Sequence, residues 1–103
     1  MVKPREEIVR GIVTYYHPTR KKGEPASSTP FTVIFTEDKI GWLTVVVRIA
    51  GRMKPASIPW KWSELPKEKQ AKKLSRQFAR LFAPELLPPG SKFVNVHDNP
   101  ADA

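Results

Sequence analysis

The sequence predicts an α+β fold of two layers, with an antiparallel sheet of three to four strands packed on one amphipathic helix in the order β-β-β-α-β. Three observations carry that prediction. Residues 31–36 and 42–49 place strongly apolar side chains at every second position, the period of a strand with one buried face. Residues 66–82 repeat their apolar side chains at helical spacing instead. The 103 residues suffice for one core built from a small sheet and a helix, but not for two independent cores, so residues 1–103 are read as a single domain.

The first strand is placed over Glu7 to Tyr16, where branched and aromatic side chains fit a pleated surface, and Pro18 stops it. Residues 18–30 hold three prolines, one glycine and the basic triplet Arg20, Lys21 and Lys22; their apolar content is too small to offset ordering, which predicts a mobile loop. Strand two follows over Phe31 to Thr36, with Phe31, Val33 and Phe35 on its apolar face. A turn over Glu37 to Gly41 leads into strand three, Trp42 to Ile49, with Leu43, Val45, Val47 and Ile49 facing the core and Trp42, Thr44, Val46 and Arg48 facing away. Pro55 and Pro59 exclude a central strand over residues 51–62, which are read as a connection with room for an edge pairing at Ala56 to Ile58.

Ser63 suits a helix N-cap and Pro66 the first turn, so the helix is expected to start near Glu64 and to be closed by Pro84 near Phe82. Pro88, Pro89 and Gly90 mark a turn, Phe93 to His97 a short last strand, and residues 98–103 a flexible tail. One helix covers one side of the sheet. The other side is left for a partner.

The helix carries the leading functional signal. Ala71, Leu74, Phe78, Leu81 and Phe82 gather on its inner side, and Lys69, Lys72, Lys73, Arg76 and Arg80 on its outer side. Lys69 with Lys73, Lys72 with Arg76, and Arg76 with Arg80 are like-charge pairs, each costing an isolated helix about 0.2–0.5 kcal/mol, and only Glu68 with Lys72 offsets them. The net charge is +8, and residues 61–80 contribute +5 of it, from seven basic and two acidic residues. A polyanion would relieve this repulsion, and nucleic acid is the commonest one. Lysine outnumbers arginine in the helix, which favours phosphate contacts over base reading and predicts weak sequence selectivity.

Trp60-Lys61-Trp62 adds a second feature. In an extended segment both indoles project to one side with a lysine between them, which suits base stacking beside a phosphate backbone; closing the end of the core is the competing role. Trp42, Arg48, Arg10 and Tyr16 would furnish a similar platform on the exposed face of the sheet, and Arg20, Lys21 and Lys22 would extend it from the loop. Gly51-Arg-Met-Lys-Pro followed by Ala-Ser-Ile-Pro-Trp-Lys-Trp-Ser-Glu-Leu resembles the strand-to-helix passage of the single-stranded-DNA-binding transcriptional positive cofactor family. That resemblance implies a curved antiparallel sheet followed by a helix, with single-stranded DNA as the ligand.

Several chemistries find no footing. Cysteine is absent, which removes disulfides, thiolate zinc sites and cysteine nucleophiles. His17 and His97 sit in no metal-ligand or nucleophile–base spacing, and Ser27 and Ser28 lack a nucleophile-elbow context. The adjacent carboxylates Glu6 and Glu7, or Glu37 and Asp38, point to opposite sides of a strand or lie in a turn, so they form no acid–base dyad. No phosphate-binding glycine loop occurs. The chain is therefore read as non-enzymatic, without cofactor or metal. With no apolar run of membrane-spanning length and a charged first segment, a cytoplasmic protein is expected. Two functions fit: binding of single-stranded DNA or RNA with weak selectivity, or docking on an acidic protein surface as an adaptor or inhibitor of the kind phages and plasmids encode. Homodimerisation through a sheet edge is compatible with either.

Overall fold

Four strands precede the single helix and one follows it: β1 (Glu6–Tyr16), β2 (Ser27–Glu37), β3 (Trp42–Ile49), β4 (Arg52–Lys61), α1 (Glu68–Leu86) and β5 (Lys92–Asp98). The coordinates are a computed structural model that describes residues 6–61, 63 and 68–98. The strands form one sheet in the order β4-β3-β2-β1-β5, and every neighbouring pair is antiparallel. The first four strands make a meander, and α1 carries the chain back across it to lay β5 beside β1. The α+β class with one helix on an antiparallel sheet is as the sequence predicts. The strand count is five, not three to four, and the order is β-β-β-β-α-β.

The extra strand is β4. Its prolines are tolerated because it lies at the edge and pairs only with β3, so a missing N–H on the outer side breaks no ladder. The register shifts between Trp42 and Thr44, where Lys61 pairs with Trp42 but Ser57 with Thr44; Pro59 falls inside that irregularity. β2 is also longer than periodicity suggested, because Ser27 to Pro30 pair with Tyr15 to Ile12 of β1. The connection read as residues 18–30 thus ends before Ser27. Pro30 is accommodated where β2 has a single neighbour, since β3 pairs with β2 only from Phe31 onward.

The core lies between the sheet and α1. Val9, Val13 and Tyr15 of β1, Phe31, Val33 and Phe35 of β2, Leu43, Val45, Val47 and Ile49 of β3, and Val96 of β5 are all buried on one face. Against them α1 sets Ala71, Ser75, Ala79 and Ala83, small residues at every fourth position that let the helix backbone approach closely. The Ser75 hydroxyl donates to the Ala71 carbonyl at 2.8 Å, so its burial leaves no donor unmet. Leu74, Phe78 and Phe82 flank this seam, half-buried, and the Phe78 and Phe82 rings stack with centroids 6.3 Å apart. Leu81 departs from the predicted inner face. It is 68% exposed, because the seam of small residues, and not the bulky ones, turned toward the sheet.

The end of α1 also differs from expectation. Pro84 lies inside the helix, although an interior proline costs about 3 kcal/mol. Leu86 and Leu87 are buried just beyond it, each contributing about 1.5–3 kcal/mol, and the Leu87 N–H donates to the Ala83 carbonyl at 2.9 Å. Burial wins over the proline. A start near Glu64 falls on residues 64–67, outside the described residues, and Asp98 belongs to β5, not to the tail.

Gly11 lies where the Phe31 ring crosses close over the β1 backbone. A β-carbon there would meet the Phe31 ring at 2.3 Å and the His97 carbonyl at 2.7 Å. Gly11→Ala is therefore expected to destabilise the fold by about 1–3 kcal/mol through overpacking, read as a lower urea midpoint; an unchanged midpoint would contradict the Gly11–Phe31 contact.

Candidate nucleic-acid interface on the open sheet face

Residues opposite one another in neighbouring strands share a face, so the register writes out the sheet surface that α1 leaves uncovered. Arg10 pairs with Thr32, Thr32 with Arg48 and Arg48 with Met53, one row across four strands. The next row holds Ile8, Ile34, Val46 and Pro55, and the one after it Glu6, Thr36 and Thr44, with the Thr36 and Thr44 hydroxyls bonded to each other. Trp42 and Lys61 pair at that end of the sheet. Toward the other end come Ile12 with His97, Thr14 with Asn95, and Tyr16 with Lys92. Arg10 and Arg48 are exposed, as are Met53 at 62%, Ile8 at 42% and Trp42 at 40%.

Tyr16 and Trp42 stand at opposite ends of this face, about 40 Å apart at 3.3 Å per residue of strand. The molecule is elongated to match, with principal extents of 54 × 27 × 22 Å. Arg20 places its guanidinium 4.2 Å from the centre of the Tyr16 ring, held there by a bond from its Nε to the Glu24 carbonyl at 2.6 Å. Turns closed by the Arg20 N–H on the His17 carbonyl and the Glu24 N–H on the Lys21 carbonyl leave Lys21 and Lys22 exposed beside it. Near the middle of the face a depression of about 310 Å³ is lined by Thr29, Pro30, Thr32, Arg48, Ala50 and Gly51. A smaller one of about 200 Å³ continues it past Ser28 to Ile12.

The residues singled out from the sequence divide between two sides of the molecule. Arg10, Tyr16, Trp42 and Arg48 lie together on the open face, and Lys61 joins them through its pairing with Trp42. Trp60 is exposed and falls in the irregular stretch of β4 between the Ser57 and Lys61 pairings; Trp62 is outside the described residues. Two of the helix cations face away from the sheet. Lys73 and Arg80 are exposed there, whereas Lys72 and Arg76 are half-buried and each has an interaction of its own within the chain. Lys69 belongs to the first turn of α1, with its side chain outside the description. Also on that side, Lys54 forms an ion pair with Glu85 and lies 5.5 Å from the Phe82 ring centre.

Thr32, Ile34, Thr29, Pro30 and Lys92 were not singled out from the sequence. The mixed side of strand two pointed toward Thr32 and Ile34, but Thr29 and Pro30 were hidden in the presumed loop, and nothing local marks Lys92. Among the described residues no group of three or more His, Asp or Glu side chains is placed to hold a metal, and no helix is long and apolar enough to cross a membrane. The chain matches no family model, no curated protein and no solved structure. The resemblance over residues 51–65 therefore stays local, and β5 after the helix departs from its pattern.

This geometry makes the open face separable from the core. Arg10→Gln and Arg48→Gln, and Leu81→Lys on the helix, should each leave stability within about 0.5 kcal/mol of the parent in urea unfolding. A loss of 2 kcal/mol or more, on the order of a core truncation, would show that the side chain is packed rather than presented.

Proposed function

We propose that the protein is a non-enzymatic binder of single-stranded nucleic acid that lays the strand along the open face of the sheet. The observation that supports this most directly is the register that sets Arg10, Arg48, Tyr16 and Trp42 on one uncovered face. Guanidinium groups meet phosphates, and the two aromatic rings offer stacking surfaces that only unpaired bases can use. In a duplex the bases are already stacked, so Tyr16 and Trp42 would contribute little. The apolar row of Ile8, Ile34 and Val46 supplies a surface for base or sugar edges without reading them, which favours weak sequence selectivity. Electrostatics favour the same side: among the described residues Arg10 and Arg48 have no ion-pair partner, and Glu6, on the same face, is four residues from Arg10 along β1.

The outward helix cations remain a second, weaker electrostatic surface. Lys73 and Arg80 raise the local concentration of any polyanion, but no aromatic side chain accompanies them on that side of α1 among the described residues. A reading from another class, docking on an acidic protein surface, draws on the exposed Ile8, Trp42 and Met53, which would give such a partner apolar contacts as well as charge.

Fluorescence anisotropy with single-stranded DNA, duplex DNA and RNA at two salt concentrations tests the proposal. Single strands should bind best, affinity should fall steeply with salt, and Arg10→Glu with Arg48→Glu should weaken binding about tenfold or more, against less than about threefold for Lys73→Glu with Arg80→Glu. No binding at low salt removes the reading. The reverse order of the two double variants would move the interface to the helix, and a protein complex that survives nuclease would favour the docking alternative.

A further inference from the structure

We infer that Arg10, Thr32 and Arg48, with the depression beside them, form a discrete subsite for the phosphate of one nucleotide. This rests on the proposed nucleic-acid reading but makes a narrower claim. Thr32 lies between the two arginines in the register, so their Cα atoms flank it from β1 and β3 at about 10 Å from each other, two strand spacings. Both side chains stand on the same face and are exposed. An anion over the Thr32 hydroxyl would be met by two guanidinium forks and one hydroxyl donor, the geometry that suits phosphate oxygens. No carboxylate among the described residues occupies that row, which ends in Met53 on the β4 side.

The depression gives the attached nucleoside a place. It opens directly beside Arg48 and Thr32, with Pro30 and Thr29 of β2 along its wall. Its far lip is the β3–β4 turn, where Ala50 and Gly51 both take positive φ, 53° and 80°. Two successive positive φ values are the pattern of a tight hairpin turn whose first position favours Asn, Asp or Gly. Alanine is uncommon at such a φ. Its methyl group leaves the lip open, whereas the carboxylate of an aspartate at that position would put a negative charge beside the proposed phosphate and an asparagine would narrow the entrance.

Backbone amide NMR, with inorganic phosphate, a nucleoside monophosphate and the bare nucleoside as separate probes, tests this. The monophosphate should shift the amides of Thr32, Ala50 and Gly51 saturably, inorganic phosphate should shift Thr32 more weakly, and the nucleoside alone should bind at least tenfold less well than the monophosphate. Arg48→Lys keeps the charge but loses the planar fork, and should weaken the monophosphate at least fivefold; Ala50→Asp should do the same, and Lys73→Gln should change nothing. Shifts spread evenly over Lys73, Arg80 and Lys92, or an Arg48→Lys variant equal to the parent, would overturn the subsite and leave only diffuse attraction. Oligonucleotide binding that persists without monophosphate binding sinks the subsite alone, while monophosphate binding without oligonucleotide binding sinks the strand-binding proposal alone.

Discussion

One helix cannot cover both faces of a five-stranded sheet, and most of what characterises this protein follows from that asymmetry. The covered face is made of β-branched and aromatic side chains at every second position, and α1 settles on it through Ala71, Ser75, Ala79 and Ala83. A seam of small side chains brings the helix axis close, so that Phe31, Phe35 and Ile49 from the sheet fill the space between the layers. The packing is one-sided. The other face must be compatible with water, with a ligand, or with both.

That second face has an uneven composition with a spatial logic. Threonines on neighbouring strands, among them the bonded pair Thr36 and Thr44, keep it wettable, while an apolar row and two arginines interrupt it at mid-sheet. The Tyr16 and Trp42 rings stand at its two ends. A long, shallow surface with cations in the middle suits an extended polyanion. The helix side has charge too, but part of it is spent internally, as in the Lys54–Glu85 pair.

The conflict over proline illustrates how local and tertiary terms compete. Pro30, Pro55, Pro59 and Pro84 each argue against the element they occupy when read alone. Pro30 and Pro55 lie where a strand has only one neighbour, Pro59 lies in a register irregularity, and Pro84 is outweighed by two leucines buried past it. In every case the residue kept its local cost, and the surrounding packing or edge position decided the outcome. The same competition explains Leu81, which helical spacing assigned to the core and which the closer approach available to alanines left outside.

From the chain alone, the alternation in strands two and three was legible, and so were their inward and outward residues, because a period of two admits only one amphipathic solution. The class of fold and the existence of the helix were legible for the same reason. The candidate site was legible only in part: Arg10, Tyr16, Trp42 and Arg48 could be named, but not shown to share a face, since that depends on which residue of one strand lies opposite which residue of another. Register between strands is a non-local property, set by pairing across the whole sheet and by where its bulges fall. So the sequence by itself determined which side chains alternate along strands two and three and which like charges neighbour one another on the helix. Only the tertiary structure decided that β4 closes one edge and β5 the other, that Lys73 and Arg80 of the helix look away from the face that carries the sheet arginines, and that Thr32 stands between Arg10 and Arg48, because each of these is a relation between segments that are distant along the chain.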